Sequence, residues 1–356
     1  MHLSGGAGGI AHVLEHLGPP LEGWWRDLGS VTLNGKLNAA VGAWPRNWAA
    51  SIPAASPVGG TSCCWPFCSS RPAAIDCRKR QGEVSMTMAA DGDVTYELRD
   101  GVAWLGLDRP HKRNAIDDAL LAAFEAAVRR AQDEARALVI FGHGPCFSAG
   151  LDLAEQGARE PVEVFYHSRA WHAAFGALRQ GRVPAIAALH SATIGGGLEL
   201  AAACHIRVAD ETAFFALPEG TRGIYVGGGA SVHLARLLGA SRMADMMLTG
   251  RVLDAAAAER AGLVQYLVPD GQAKSKAEEL AAKVAAMAPL TVLGVLHALP
   301  RIQDMSESDG LFVESLMATL SMTGPEAAAR LAEFVAKRAA KVTSPDAAAA
   351  DAAKRR

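Results

Sequence analysis

Three consecutive glycines follow an apolar run and lead into a glutamate. The run at 185–189 is typical of a buried strand, and glycines 195–197 open a helix that carries Glu199 in its first turn. A similar turn at 147–152 follows another apolar stretch, and a second carboxylate, Glu219, comes further along. Such turns can direct backbone N–H groups at an anion, and two acids can move protons. The pattern predicts a site that stabilises an oxyanion and carries out acid–base chemistry.

Strand and helix patterns alternate along the middle of the chain. Strands are predicted at 96–99, 102–107, 137–141, 185–189, 205–209 and 213–216, and helices at 117–131, 162–178 and 196–203. Asp100-Gly101 is a hairpin turn signal, and Asp117 is a helix N-cap. From Ser231 the pattern is helical apart from a strand at 263–268, with the last helices predicted at 273–287, 290–298, 307–322 and 325–340. Strands that alternate with helices over short links predict an α/β fold on a mainly parallel sheet.

The composition argues against several classes of function. The 356 residues are half apolar and carry a formal net charge of −2, which offers no basic surface for nucleic acid or anionic lipid. No apolar run approaches the roughly 18 residues of a membrane-spanning helix. Six cysteines in a chain of this length do not suggest a secreted disulfide framework, so a cytoplasmic location is expected. We therefore expect a globular protein with neither nucleic acid nor membrane as a partner.

The first quarter of the chain differs from the rest. Residues 1–85 hold five of the seven tryptophans and four of the six cysteines, and they show no helical or strand periodicity. We interpret them as a disordered or non-native extension, with natural translation starting at Met86 or Met88. The cysteines between Cys63 and Cys77 have no regular zinc-knuckle spacing, so no metal site is predicted. The remaining chain is expected to form a core at 86–254, a helical segment at 255–343 and a disordered tail at 344–356.

Several motifs occur in a fixed order between residues 94 and 340. They are Leu107-Asp108-Arg109-Pro110 with Asn114-Ala115, then the segments 147–153, 195–200, 215–219, 248–251 and 261–264. In this order they resemble the crotonase, or enoyl-CoA hydratase/isomerase, superfamily. The resemblance implies a crotonase-like spiral of ββα turns with a C-terminal helical segment. It also implies that this segment folds over the active site and neighbouring subunits, in a homotrimer or a dimer of trimers.

The resemblance assigns roles to the two glycine-bearing turns and the two acids. Members of the superfamily bind an acyl-CoA thioester and stabilise an enolate-like oxyanion with two backbone N–H groups, here those of Leu151 and Gly196. Both would lie where a turn or helix N-terminus exposes N–H groups. By the same resemblance, Glu199 would help to activate the water that attacks Cβ, and Glu219 would protonate Cα. Coenzyme A enters only as part of the substrate, and no other cofactor is expected.

Further residues are candidates for contact with the substrate. By resemblance, this set is Arg109, Lys112, Arg113, Ala149, Gly150, Asp152, Gly195 and Gly197. The three basic residues match positions that contact the phosphates of coenzyme A, although a solvated cluster after a turn is an equally good interpretation. Asp152 either orients the oxyanion turn or acts as a cap.

Three classes of function remain open at this point. Both glutamates together favour an enoyl-CoA hydratase, a lyase of fatty acid metabolism, because isomerases of the superfamily often keep only one acid. A double-bond isomerase, a coenzyme A hydrolase or a carbon–carbon lyase forms the second class, and a non-catalytic binding protein forms the third. Each acid also has a structural interpretation, since Glu199 lies at a helix N-terminus and Glu219 lies in a loop that could be exposed. The segment 224–229 replaces a proline-bearing segment common in the superfamily, which leaves the acyl specificity open.

Overall fold

A seven-stranded sheet forms the centre of the computed structural model, which describes residues 87–89, 92–155, 157 and 159–336. The strands, in order across the sheet, are β1 (Thr87–Ala89), β2 (Val94–Arg99), β3 (Val102–Leu107), β4 (Ala137–Gly142), β5 (Ala185–Leu189), β7 (Ile206–Asp210) and β10 (Tyr266–Val268). β1, β2 and β3 pair antiparallel, and the strands from β3 to β10 pair parallel. The predicted hairpin and the mainly parallel sheet are therefore confirmed.

A second sheet of three short strands supports the turn after β4. Its strands, in order, are β6 (Ala192–Ile194), β8 (Phe214–Ala216) and β9 (Leu253–Asp254). Single bridges join Ser148 to Thr193 of β6, and Ile116 to Leu151. The turn after β4 is thereby fixed beside the segment that leads into the glycine helix. β6 is not evident from the sequence, because three residues are too few to show an alternating pattern.

The helices begin and end close to the predicted positions. In α1 (Asp118–Glu134), the side chain of Asp117 accepts a 2.7 Å hydrogen bond from the N–H of Leu120, which confirms the predicted N-cap. The later helices are α2 (Pro161–Arg179), α3 (Gly196–Ala203), α4 (Ala230–Leu238), α5 (Ala240–Thr249), α6 (Ala255–Arg260), α7 (Ala273–Ala285), α8 (Pro289–Leu293), α9 (Leu299–Ile302), α10 (Glu307–Thr323) and α11 (Pro325–Val335). Within the described residues no single helix is long and apolar enough to cross a membrane. One pair bent by 114°, Ala273–Ala285 with Pro289–Ile302, passes that test on length and composition alone.

The C-terminal half differs from the prediction in two places. The helix expected at 290–298 is instead α8 followed by a π-helical turn and α9. Pro300 has no N–H to donate within a helix, so an irregular turn precedes it. β10 is shorter than the expected strand at 263–268, because Gly262 turns the chain with a φ of 80°. The expectations for residues 1–85, including Cys63 to Cys77, and for the tail at 344–356 lie outside the described residues.

Apolar side chains cover both faces of the main sheet. β3, β4, β5 and the whole of α3 are buried. On one face Ile140 belongs to a core that includes Phe124 of α1 and Phe175 of α2. On the other face Val139 belongs to a second core with Leu280 of α7. Burial on both faces is characteristic of parallel strands, and it makes the sheet a firm support for the loops at its strand ends.

Candidate active site

One cavity brings together most of the residues predicted for the site. Its volume is about 290 Å³, and its walls come from the turn after β4, the start of α3, the turn after β8, and α2. The predicted residues that line it are Ala149, Leu151, Gly195, Gly196, Glu199 and Glu219. Both acids and both proposed oxyanion donors therefore share a single pocket, although they come from separate segments of the chain.

The backbone nitrogens of Leu151 and Gly196 lie close together in this cavity. A Cβ placed on Gly196 would lie 3.3 Å from the nitrogen of Leu151, and a Cβ placed on Gly150 would lie 3.0 Å from the nitrogen of Gly196. Gly196 is the first residue of α3, so the helix offers its N–H no acceptor. Within the described part of the chain, neither N–H donates to a backbone carbonyl of the surrounding turns. The two groups can therefore both donate to one bound oxyanion.

Two buried polar side chains hold the turn after β4 in place. The amide of Asn114 donates hydrogen bonds to the carbonyl oxygens of Cys146 and Phe147, at 2.9 and 3.1 Å. The hydroxyl of Ser148 donates to the carbonyl of Asn114 at 2.7 Å and accepts from the N–H of Gly150 at 3.1 Å. These bonds pair backbone groups that burial removes from water, so they fix the direction in which the turn presents its remaining N–H.

The glycines at the site are required by close approaches of the backbone. Gly195 has a φ of 53° and a ψ of −123°, and a Cβ there would lie 2.6 Å from Oε1 of Glu219. Gly150 has a φ of 90°, and a Cβ there would lie 2.5 Å from the carbonyl oxygen of Ile194. Gly197 does not line the cavity, and a Cβ on it would meet the turn after β4 at 2.7 Å. Gly150 and Gly197 therefore allow the two turns to pack together, and their contact with substrate stays a prediction.

Glu199 is 4% exposed, and backbone groups bind its carboxylate. The N–H groups of Gly228 and Ala230 donate to Oε1 at 2.9 and 3.0 Å. Ala230 is the first residue of α4, so the positive end of that helix lies at the carboxylate. Burial raises the pKa of Glu199, and the backbone hydrogen bonds oppose that rise. The carboxylate is therefore held in one orientation, and the two N–H groups stabilise its ionised form through Oε1.

Glu219 is 8% exposed, which shows that the interpretation as an exposed loop glutamate is wrong. It follows β8 and precedes a short 3-10 turn. Burial, together with the nearby charge of Glu199, raises its pKa to about 7. Its Oε2 is buried and accepts no hydrogen bond from the described residues. At neutral pH this carboxyl group is consequently divided between its protonated and ionised forms.

The basic residues predicted to contact coenzyme A do not line the cavity. Arg109 is 5% exposed, and its guanidinium lies 2.9 Å from the carboxylates of Asp93 and Asp117 and 3.3 Å from that of Asp152. Lys112 lies 2.9 Å from Asp152, and this pairing lowers the pKa of the Asp152 carboxyl. Arg109 is buried among three carboxylates and joins the loops that carry them, and its contact with coenzyme A stays a prediction. Asp152 is one of these three carboxylates, and its role in orienting the turn likewise stays a prediction. Lys112 and Arg113 are exposed.

One face of α2 supplies a wall that the motifs did not indicate. Val164, His167, Ser168 and Trp171 all line the cavity. Position 164, positions 167 and 168, and position 171 follow one another at intervals of three or four, which places them on one side of a helix, and this spacing is the signal that could have identified them. The segment 224–229 supplies another part of the wall through Ile224, Tyr225, Gly227 and Gly228.

Comparison with known proteins shows which family the chain resembles. The profile of the enoyl-CoA hydratase/isomerase family matches residues 97–344. Enoyl-CoA hydratase EchA19 of Mycobacterium tuberculosis is 31% identical, over 71% of this chain and 97% of that protein. A solved structure of a candidate enoyl-CoA hydratase from Rhodopseudomonas palustris is 50% identical with a TM-score of 0.68, over 70% of this chain and 97% of its own. A solved structure of an enoyl-CoA hydratase from Bacillus anthracis is 28% identical in sequence and has a TM-score of 0.66. The match covers 69% of this chain and 97% of that one.

The chain therefore belongs to the enoyl-CoA hydratase/isomerase family. The crotonase-like fold with a C-terminal helical segment, predicted from the order of the motifs, is confirmed. The match begins within β2 and extends past α11, so the family likeness covers the main sheet from β3 onwards, the second sheet and the later helices.

Proposed function

We propose that this protein is an enoyl-CoA hydratase, which adds water across the 2,3 double bond of an enoyl-CoA thioester. The observation that supports this most directly is that Glu199 and Glu219 are both buried on the wall of the cavity that holds the Leu151 and Gly196 N–H groups. Hydration needs a group that takes a proton from water and a group that gives a proton to carbon. Family members named as enoyl-CoA hydratases support the same assignment.

In the proposed reaction the thioester carbonyl accepts hydrogen bonds from the N–H groups of Leu151 and Gly196. Glu199 takes one proton from water while the water oxygen bonds to Cβ, and the electrons of the double bond move towards the carbonyl to give an enolate. Glu219 then gives its proton to Cα. Loss of one such oxyanion donor typically costs about 3–4 kcal/mol of transition-state stabilisation.

The reaction adds one water and transfers no electrons, so we expect no cofactor beyond the coenzyme A of the substrate. The proton gained by Glu199 and the proton lost by Glu219 are restored by exchange with solvent, which completes the cycle. In the described residues no group of three or more His, Cys, Asp or Glu side chains is arranged to hold a metal ion.

The electrostatics of the two acids suit these roles. Burial raises the pKa of both carboxyl groups, to about 7 for Glu219. Oε1 of Glu199 accepts two backbone N–H groups, whereas Oε2 of Glu219 accepts none from the described residues. Hydrogen-bond donors favour the charged form, so we place the charge on Glu199 and the proton on Glu219.

A double-bond isomerase is the second candidate. It needs one group that removes a proton from one carbon and returns it to another, and the pKa of about 7 for Glu219 suits that task. Glu199 would then serve as a fixed charge. A coenzyme A hydrolase or a carbon–carbon lyase would use the same oxyanion donors. A non-catalytic relative would bind the thioester without turnover.

The test is to incubate the full-length protein with crotonyl-CoA and to follow the absorbance of the conjugated enoyl thioester and the mass of the product. Loss of the band with a gain of one water mass is the result expected of a hydratase. A 3-enoyl-CoA is tested in a parallel incubation. If its product gains the absorbance band of the conjugated thioester at constant mass, while crotonyl-CoA is left unchanged, the isomerase is favoured. Tight binding of both thioesters with no turnover would overturn the proposed function.

We also propose a homotrimer or a dimer of trimers located in the cytoplasm. The exposed apolar side chains of α10 include four that are each 49–66% exposed, and a patch of this kind suits contact with another subunit. These side chains are Leu311, Phe312, Leu316 and Leu320. Cys146 and Cys204 are buried free thiols, which suits a reducing compartment. Subcellular fractionation tests the location.

A further inference from the structure

Trp171 contributes a large buried side chain to the cavity wall, directly beside the residues that would hold the reacting atoms. The residue is 4% exposed and belongs to α2. A Cβ on Gly196 would lie 2.6 Å from Cζ3 and 2.7 Å from Cη2 of the indole, and a Cβ on Gly228 would lie 3.0 Å from its Cε3. The ring therefore fills the space between a proposed oxyanion donor and the loop that binds Glu199.

The indole ring is held in this position from two sides. Its Nε1–H donates a 3.1 Å hydrogen bond to Nε2 of His167, one helical turn earlier. Phe175 packs edge-on against the ring, with centroids 5.4 Å apart. A ring fixed at both its polar and its apolar edge cannot turn aside for a ligand without losing these contacts.

We propose that Trp171 determines the acyl specificity of this site by blocking the space beyond Cβ, so that the enzyme favours short acyl groups. The proposal rests on the proposed function only in that an acyl-CoA binds with its thioester at the Leu151 and Gly196 N–H groups. The cavity volume of about 290 Å³ lies at the lower end of the range for small-molecule sites, which agrees with a short acyl group.

A longer acyl chain has to turn away from Trp171 towards the rim of the cavity. The apolar side chains at that rim are themselves well exposed, with Val164 at 50%, Ile224 at 43% and Tyr225 at 70%. Methylene groups placed there remain largely in water, so each adds little to binding. Binding energy from the hydrophobic effect scales with the apolar area that is actually removed from water.

The experiment measures binding of saturated butanoyl-CoA and decanoyl-CoA by calorimetry, because these thioesters cannot be hydrated. The variants are Trp171→Leu, with Trp171→Phe as the more conservative change. Trp104→Leu is the matched control, since Trp104 is a buried tryptophan of the second core and does not line the cavity. Thermal unfolding of each variant shows that it is folded.

In the unchanged protein we expect the two dissociation constants to differ by less than about tenfold. Trp171→Leu should shift their ratio by about tenfold in favour of decanoyl-CoA, the factor expected when about two more methylenes become buried. Trp171→Phe should shift the ratio less, in the same direction, and Trp104→Leu should leave it unchanged. The proposal is overturned if folded Trp171 variants keep the original ratio, if Trp104→Leu shifts it equally, or if the unchanged protein already binds decanoyl-CoA about a hundredfold more tightly.

The binding readout separates this proposal from the proposed function. A shift in the ratio without hydration of crotonyl-CoA would leave the role of Trp171 standing and overturn the hydratase assignment. Hydration of crotonyl-CoA without a shift in the ratio of dissociation constants would support the hydratase assignment and overturn the role of Trp171. Failure to bind either thioester would overturn both.

Discussion

The backbone N–H of Gly228 donates a 2.9 Å hydrogen bond to Oε1 of Glu199, which lies 29 positions earlier in the chain. A Cβ on Gly228 would lie 3.0 Å from Oε2 of the same carboxylate and 3.0 Å from the ring of Trp171. Because position 228 has no side chain, the loop, the acid and the indole ring can meet at the centre of the site.

We expect Gly228→Ala to lower kcat for hydration about tenfold in a folded protein. The added methyl group must displace Glu199 or Trp171 by a few tenths of an ångström, and a misplacement of about 1 Å can cost about a hundredfold. Gly227→Ala is the control, because its Cβ would meet the Ser168 hydroxyl at an ordinary 3.6 Å. Steady-state kinetics and thermal unfolding of both variants make the comparison. Equal kcat values for Gly228→Ala and Gly227→Ala would count against the role of the close approach at Gly228.

Each of the two acids should be needed for turnover and not for binding. We expect Glu199→Gln and Glu219→Gln each to lower kcat by at least about a hundredfold, because each acid handles a different proton. Acyl-CoA affinity should change little, since the oxyanion donors are backbone groups. The double variant should lose much less than the product of the two single losses, because both acids act on one reaction. Nearly full hydratase activity in Glu219→Gln, with none in Glu199→Gln, would favour a one-acid mechanism.

The rate should depend on the protonation of Glu219. Its pKa of about 7 lies above the ordinary glutamate value near 4.3, so the proton that hydration requires is present below neutral pH and lost above it. We therefore expect kcat/KM to fall as pH rises through about 7. A profile that stays flat to pH 9 would show that this group does not supply the proton. In Glu219→Gln, the residual kcat/KM should no longer fall as pH rises through about 7.

The same raised pKa has a consequence for stability. The folded state keeps a proton that the unfolded chain releases near pH 4.5, so the free energy of unfolding should fall as pH rises from about 4.5 to about 7. Urea unfolding across this range measures the slope, and Glu219→Gln should reduce it.

Arg109 should matter for stability and not for substrate binding. Arg109→Met leaves Asp117 and Asp152 buried without their guanidinium partner, which should lower the free energy of unfolding by about 3 kcal/mol or more. Arg129→Met is the control, because its pair with Glu125 is exposed and should be worth less than about 1 kcal/mol. Chemical unfolding measures the free energy of unfolding of both variants. Weaker acyl-CoA binding by Arg109→Met at unchanged stability would restore the predicted phosphate contact.

The exposed apolar side chains of α10 should hold subunits together. We expect the protein to sediment as a trimer or a larger multiple of three, and Phe312→Glu to shift it towards smaller species, because a charge buried at an apolar contact is costly. Glu314→Gln, at an exposed position of the same helix, is the control and should not change the sedimentation. A stable monomer at micromolar concentration of the unchanged protein would contradict this prediction.

Several features follow from residues that are close neighbours in the chain. The cap at Asp117, the turn at Asp100-Gly101 and the helix that opens at Gly196 depend on side chains and backbone angles within a few positions. Local chemistry was therefore enough to predict these elements, and the order of the motifs was enough to predict the fold. The order of the motifs also pointed to the two acids and the two turns that line the cavity.

Other features depend on which distant segments the packed sheets bring together. The sequence left Arg109 as either a phosphate contact or part of a solvated cluster, and only its neighbours Asp93 and Asp152 show that it is a buried partner of carboxylates. The sequence did not indicate Trp171, and only its approach to Gly196 and Gly228 makes it part of the site. Burial and pKa depend on atoms that are near in space and far apart in the chain. Local patterns cannot report them, because the pairing of strands and the packing of helices decide which of those atoms meet.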